Sequence, residues 1–209
     1  MRSAHSIQKA ILHLKTNDPV LAGIIQRVGN LKPGYRDPTF ESLTRAIVYQ
    51  QLNGKAARTI YERFELATGG RIIPESVLSL TEEQMRKAGL SRQKLSYIRD
   101  LAVKTQAGEV NFEHLPALKD DEVIEHLTRV KGIGVWSAQM FLMFALRRPN
   151  VLPTGDYGIR AAIQKAYKKR SLPDPDQMIK LARKWEPYRT LACYYLWRSL
   201  DITILTAKK

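Results

Sequence analysis

Apolar residues recur at three- and four-residue intervals along the whole chain, and no run alternates as a half-buried strand would. That periodicity confines the chain to packed amphipathic helices, an all-α fold. Ile7, Ala10, Ile11 and Leu14 mark a first helix. Asp18-Pro19, an N-cap followed by proline at the first helical position, starts a second through Leu21, Ile24, Ile25 and Val28. The proline- and glycine-containing stretch 31–38 reads as a loop and a subdomain boundary. Helices are expected from 39 or 40 to about 51, over 54–67, from a capping box at 81–84, and over 91–107. Further ones are expected over 120–127, 135–146 and 157–169, with two more beyond Pro173 and Pro175.

The chain is long enough, at 209 residues with 44% apolar content, to bury one core or two small ones. Its formal charge of +14 steers it toward polyanions, meaning nucleic acid or an anionic membrane surface. Three Trp and nine Tyr set in regular apolar periodicity favour a folded protein that handles nucleic acid over a charged tail. One cysteine, Cys193, excludes an intramolecular disulfide, a cysteine-ligated zinc site and a four-cysteine iron–sulfur cluster. Its apolar surroundings from Leu191 to Leu196 mark it as a buried structural thiol. The histidines (His5, His13, His114, His126) lack ligand spacing. No apolar run approaches the ~20 residues of a membrane span, and no signal-peptide core opens the chain. The expectation is a soluble intracellular protein with no membrane partner.

Charge is concentrated between Arg129 and Arg170, where nine Lys/Arg face one acid, Asp156, for a local charge of 9 − 1 = +8. At the head of this segment, Val130-Lys131-Gly132-Ile133-Gly134 places two glycines around one apolar residue between helical patterns. Gly132 and Gly134 allow positive φ and close backbone approach, so N–H groups can converge at the start of the second helix. Those donors suit a DNA phosphate without reading sequence. Ile133 points inward on this reading, and Lys131 and Arg129 either add charge near the phosphates or are solvated surface charge. The alternative is an ordinary helix–helix turn ending in a glycine cap. Asp156 precedes a helix and can serve as its N-cap, yet a carboxylate inside so basic a face weakens polyanion binding unless it has chemistry to do.

The segment 127–138, followed by Leu152-Pro153-Thr154-Gly155-Asp156, resembles the helix-hairpin-helix, Gly/Pro-rich loop and aspartate of the helix-hairpin-helix DNA glycosylase superfamily. Within it the chain is most similar to the 3-methyladenine DNA glycosylase II, or alkyl-base, branch. Three other stretches agree: Ala46-Ile47-Val48-Tyr49-Gln50-Gln51-Leu52, Gly89-Leu90-Ser91-Arg92-Gln93-Lys94, and Trp185-Glu186-Pro187-Tyr188-Arg189. The resemblance implies two helical subdomains flanking a cleft, one over 38–148 with the hairpin motif at about 120–146, the other formed by 1–37 and 149–209. It implies the compact form, without the N-terminal β-rich domain of some relatives.

Cleaving an N-glycosidic bond puts positive charge on the sugar, and a fixed carboxylate stabilises that charge or orients the attacking water. The resemblance gives this role to Asp156. Superfamily members that also cut the strand carry a lysine nucleophile two residues after the second hairpin glycine; Trp136 stands there. The resemblance therefore implies a monofunctional enzyme that hydrolyses the bond of alkylated purines with water, needs no cofactor and leaves an abasic site. Its partner is double-stranded DNA with alkylated bases, and the expected state is a monomer. Such a base must be flipped out of the stack. Position in the family motif makes Gln51 the plug that fills the hole, with Leu52 second, or else a core residue. Trp136, Tyr157 and Trp197 match the family's pocket aromatics, which favour a cationic base, while Trp185 is assigned to the core. Resemblance also implies a Na+ or K+ ion at the hairpin, held by the carbonyls of Thr128, Val130 and Ile133. Many relatives carry a second acid where this chain has Gly155. Two alternatives stay open: a non-catalytic DNA-binding or lesion-sensing module, and a glycosylase for another lesion such as uracil.

Overall fold

The computed structural model describes residues 4–206, with side chains from 7 to 201. It is all-α, with no strand among the described residues. The helices are α1 (Ala4–Asn17), α2 (Pro19–Val28), α3 (Phe40–Tyr49), α4 (Gly54–Ala67), α5 (Pro74–Ser79), α6 (Glu82–Lys87), α7 (Arg92–Gln106), α8 (Asp120–Thr128), α9 (Val135–Phe144), α10 (Tyr157–Ala166), α11 (Pro175–Ala182) and α12 (Arg189–Thr206). Short 3-10 turns lie at Leu115–Ala117 and Arg183–Trp185. No helix among the described residues is long and apolar enough to cross a membrane. The chain forms two compact units, Tyr35–Leu146 and the segments on either side of it.

In the Tyr35–Leu146 unit, α7 packs against α3, α5 and α6, while α8 packs on α9. Leu43, Ile47, Phe64, Met85, Ile98, Leu101, Val123 and Leu142 are buried between them. Polar caps set the starts of these helices. Asn53 accepts from Ala56 N–H at 2.9 Å, and Ser91 from Lys94 N–H at 3.2 Å. Thr81 and Gln84 close both arms of the expected capping box. The turn between α8 and α9 depends on Gly132, whose φ of 78° is left-handed. A Cβ at Gly132 would overlap the ring of Tyr97 on α7. Conformation and space therefore both require glycine there.

In the other unit, α2 packs on α12 and α1, and α10 packs on α12. Its polar centre is Asp18, which is fully buried. One carboxylate oxygen caps α2, accepting from the N–H groups of Val20 at 3.0 Å and Leu21 at 3.1 Å. The other accepts from the Trp185 indole N–H at 2.7 Å, from Lys184 Nζ at 3.1 Å and from the Tyr167 hydroxyl. This ties α2 to the ends of α10 and α11. Trp185 is itself fully buried, as a core residue should be. Cys193 is likewise buried.

Burial by itself raises the Asp18 pKa, but the bonds from Trp185, Tyr167, Leu21 and Lys184 outweigh it and hold the carboxyl below its ordinary value. A pKa depressed by folding stabilises the native state above the unfolded-state value, ~3.9 for Asp, and that contribution disappears as pH falls through the folded-state value. Asp18→Asn should therefore lower stability by about 3 kcal/mol at neutral pH, read by urea unfolding, with the gap to wild type closing below about pH 4. Gly132→Ala should cost about 2 kcal/mol or more, through its left-handed φ and the displaced Tyr97 ring, read as an earlier thermal transition.

Candidate active site

Asp156 is placed by its own short loop. Its N–H donates to the Pro153 carbonyl at 3.0 Å, closing a turn that ends at the start of α10. There the side chain serves as the N-cap: Oδ1 accepts from Ile159 N–H at 2.7 Å. The same oxygen accepts from the indole Nε1–H of Trp197 on α12, at 2.8 Å. Asp156 is only 8% exposed. Two N–H donors on one oxygen orient the carboxylate.

The Trp197 contact needs space that one glycine leaves. A Cβ at Gly158 would sit 3.1 Å from Cδ1 and Nε1 of Trp197 and 3.2 Å from Asp156 Oδ1. Gly158 does not have a left-handed φ, so clearance, not backbone conformation, explains the glycine. On its other side Trp197 stacks on Tyr194, with centroids 6.1 Å apart and planes at 27°. The same helix fixes the approach to the loop. Thr190 Oγ1 donates to the Arg148 carbonyl at 2.6 Å and accepts from Val151 N–H at 3.0 Å, and Thr190 N–H donates to the Pro149 carbonyl at 2.9 Å. Burial first, and the Asp156 charge second, push the Cys193 thiol pKa up. That residue stays a neutral packing group beside the loop. Thr190, Cys193 and Trp197, spaced three and four apart, make one stripe of α12 the support for residues 148–156. Tyr157, next to the carboxylate in sequence, is 71% exposed.

The hairpin motif lies in the other unit. Val130 and Ile133 are buried and anchor the turn, as expected of Ile133. Gly134 occupies the N-cap position of α9 and offers no side chain to its first turn. Nothing among the described residues accepts from the N–H groups of Gly132 or Gly134. Lys131 N–H, in contrast, donates to Asp100 Oδ2 at 2.8 Å. Asp100, which no sequence motif singles out, also pairs with Lys104 at 2.7 Å. The side chain of Lys131 remains largely exposed, with its Nζ 3.9 Å from Asp100. The carbonyls of Thr128, Val130 and Ile133 are neutral oxygens of the kind a monovalent ion takes, and Val130 O also accepts from Ile133 N–H at 3.1 Å.

Beside the hairpin is a cavity of about 560 Å³, lined by Tyr49, Gln50, Gln51, Lys94, Tyr97 and Trp136 among others. Trp136 is 48% exposed, and Gln51 and Leu52 are exposed on the turn after α3. Leu52 is thus not a core residue. Of the three aromatics expected at the base, Trp136 lines this cavity, while Trp197 and Tyr157 belong to the Asp156 neighbourhood. Tyr49, Tyr97 and Lys94 are additional lining residues. The signal for Tyr49 and Lys94 lies in the motifs at 46–52 and 89–94, which carry the resemblance without assigning roles to those side chains; Tyr97 falls outside both motifs.

Comparison with known proteins identifies the family. Residues 44–187 match the family model described as HhH-GPD superfamily base excision DNA repair protein. The chain is 33% identical over 207 residues to the DNA-3-methyladenine glycosylase 1 of Schizosaccharomyces pombe, covering 96% of this chain and 91% of the relative. A solved 3-methyladenine DNA glycosylase from S. pombe, in complex with abasic DNA, superposes with a TM-score of 0.81 at 34% identity, covering 91% of this chain and 95% of that one. The DNA-3-methyladenine glycosidase structure from Bacillus halodurans gives a TM-score of 0.83 at 36% identity, over 94% and 91% of the two chains. A turn that only glycine can form between α8 and α9, an aspartate capping the helix beyond it, and a family match across both place this chain in the HhH-GPD superfamily of base excision DNA repair proteins.

Proposed function

We propose that this protein is a monofunctional DNA glycosylase that removes alkylated purines of the 3-methyladenine and 7-methylguanine class from double-stranded DNA. The observation that carries the proposal is the buried Asp156 carboxylate, held by Ile159 N–H and Trp197 Nε1–H within a strongly basic segment. The names of the similar enzymes support the substrate class. The hairpin donors at Gly132 and Gly134, with Lys131, grip a phosphate, and the turn carrying Gln51 and Leu52 fills the space that the extruded nucleotide leaves. A Na+ or K+ ion at the Thr128, Val130 and Ile133 carbonyls would add positive charge beside that phosphate. Trp136, with Tyr49 and Tyr97, offers aromatic faces to a cationic base. Tyr157 and Trp197 flank the carboxylate. The protein acts as a monomer, inside the cell where its DNA lies.

In the reaction the bond from sugar C1′ to the base nitrogen breaks and the base leaves with the electron pair. Alkylation at N3 or N7 makes it a good leaving group, because its positive charge is cancelled by those electrons. Charge then develops on the sugar, where the ionised Asp156 stabilises it. Water adds at C1′ and loses a proton, leaving an abasic site. Trp136 has no amine, so no covalent bond to the protein forms at that position.

The test is single-turnover release of free base from a duplex holding one 7-methylguanine. Asp156→Asn, which keeps the cap acceptor but removes the charge, should slow release at least ~100-fold. Release at the wild-type rate would overturn the mechanism. Trp197→Phe keeps the ring and removes the N–H, and should slow the chemical step about tenfold with little change in substrate affinity. A change in affinity alone would assign Trp197 to base binding instead.

A further inference from the structure

The ammonium of Lys94 is turned inward. Its Nζ lies 2.7 Å from the carbonyl oxygens of both Val48 and Gln50, at the C-terminal end of α3. Two acceptors at a helix C-terminus are a favourable site for a cation. Burial draws the lysine pKa below its ordinary value. Immediately beyond these carbonyls the backbone becomes strained. Gln51 has φ 57°, a left-handed conformation that a non-glycine residue keeps only when its surroundings impose it. The Gln50 amide supplies another restraint, donating from Nε2 to the Gly132 carbonyl at 3.0 Å. The turn at 50–53 is thus tied at its base to α7 and to the hairpin, while Gln51 and Leu52 at its tip are exposed.

We infer that Lys94 is a positioning residue for base extrusion: by bonding the carbonyls of Val48 and Gln50, it holds the 50–53 turn in the shape that presents Gln51 to the duplex. The inference rests on the glycosylase reading and on Gln51 as the plug. Lysine suits the task because one compact charge sends several donors toward converging carbonyls. Removing it leaves both carbonyls without that donor, and Gln51 is then free to leave its left-handed conformation. The loss falls on opening the duplex, not on the Asp156 chemistry, so Lys94 acts only through the turn.

The test replaces and then restores the ammonium in one folded protein. Lys94→Cys is assayed for base release from an alkylated duplex before and after aminoethylation, which rebuilds a lysine-like amine; Cys193 is fully buried and does not compete. The variant should lose about tenfold in single-turnover rate, the loss of a charge-assisted bond, and aminoethylation should recover most of it. In a Gln51→Ala background, Lys94→Cys should slow the reaction no further. A full rate in Lys94→Cys, no recovery on aminoethylation, or independent multiplicative losses in the double variant would each overturn the inference. So would Gln51→Ala reacting at the full rate, by removing the plug. A wild-type protein that releases no base would overturn the glycosylase reading itself, and this inference with it.

Discussion

Two N–H groups converging on one oxygen of Asp156 are the contact on which the proposed chemistry depends. Ile159 N–H comes from the first turn of α10, and Trp197 Nε1–H comes from α12. Together they orient the carboxylate. A preorganised charge needs no reorganisation when the sugar becomes cationic, and this is why geometry matters more here than the mere presence of an acid. Much of the unit serves that placement. Thr190 holds the 148–151 segment, the Pro153–Asp156 turn sets the approach, and Gly158 leaves Trp197 room to reach in.

The unit contains a second buried carboxylate, and the contrast is instructive. Asp18 and Asp156 both cap helices, and both accept from a tryptophan indole. Asp18 also receives a tyrosine hydroxyl and a lysine ammonium, and it ties together helices distant in sequence. That saturation is the signature of a structural acid, whose removal costs stability. Asp156 stands at the end of a loop in the most basic stretch of the chain. The cap that each aspartate makes is the same; the role proposed for Asp156 rests on its place in the basic segment.

Most of the fold was legible because its helices are long, periodic and well capped. Asp18, Thr81 and Ser91 mark starts that the structure keeps. The ends were harder to read, since tertiary contacts decide them. The pattern after residue 40 ran to about 51, but α3 stops at Tyr49, where Lys94 takes its terminal carbonyls and Gln51 turns left-handed. The pattern over 157–169 likewise ends early, at Ala166, where Tyr167 reaches to Asp18 and Lys168 is left-handed. Helix α5 has six residues, too few for periodicity to reveal. At the site, Asp156 and the glycine hairpin were visible as local sequence oddities. The Trp197 bond to Asp156 spans 41 positions, and the Lys94 bonds to Val48 and Gln50 span 46 and 44. Such pairings arise only when separate helices pack, so no local pattern carries them.

Hydrolysis by water, with no protein amine involved, is tested most directly on an end-labelled duplex carrying one 7-methylguanine. Free base released is compared with strand breakage before and after alkali, in the presence and absence of borohydride. Hydrolysis by water predicts free base equal in amount to alkali-labile sites, a strand intact until alkali is added, and no protein–DNA adduct trapped by borohydride. Strand breakage without alkali together with a borohydride-trapped adduct would contradict it, as would the absence of free base.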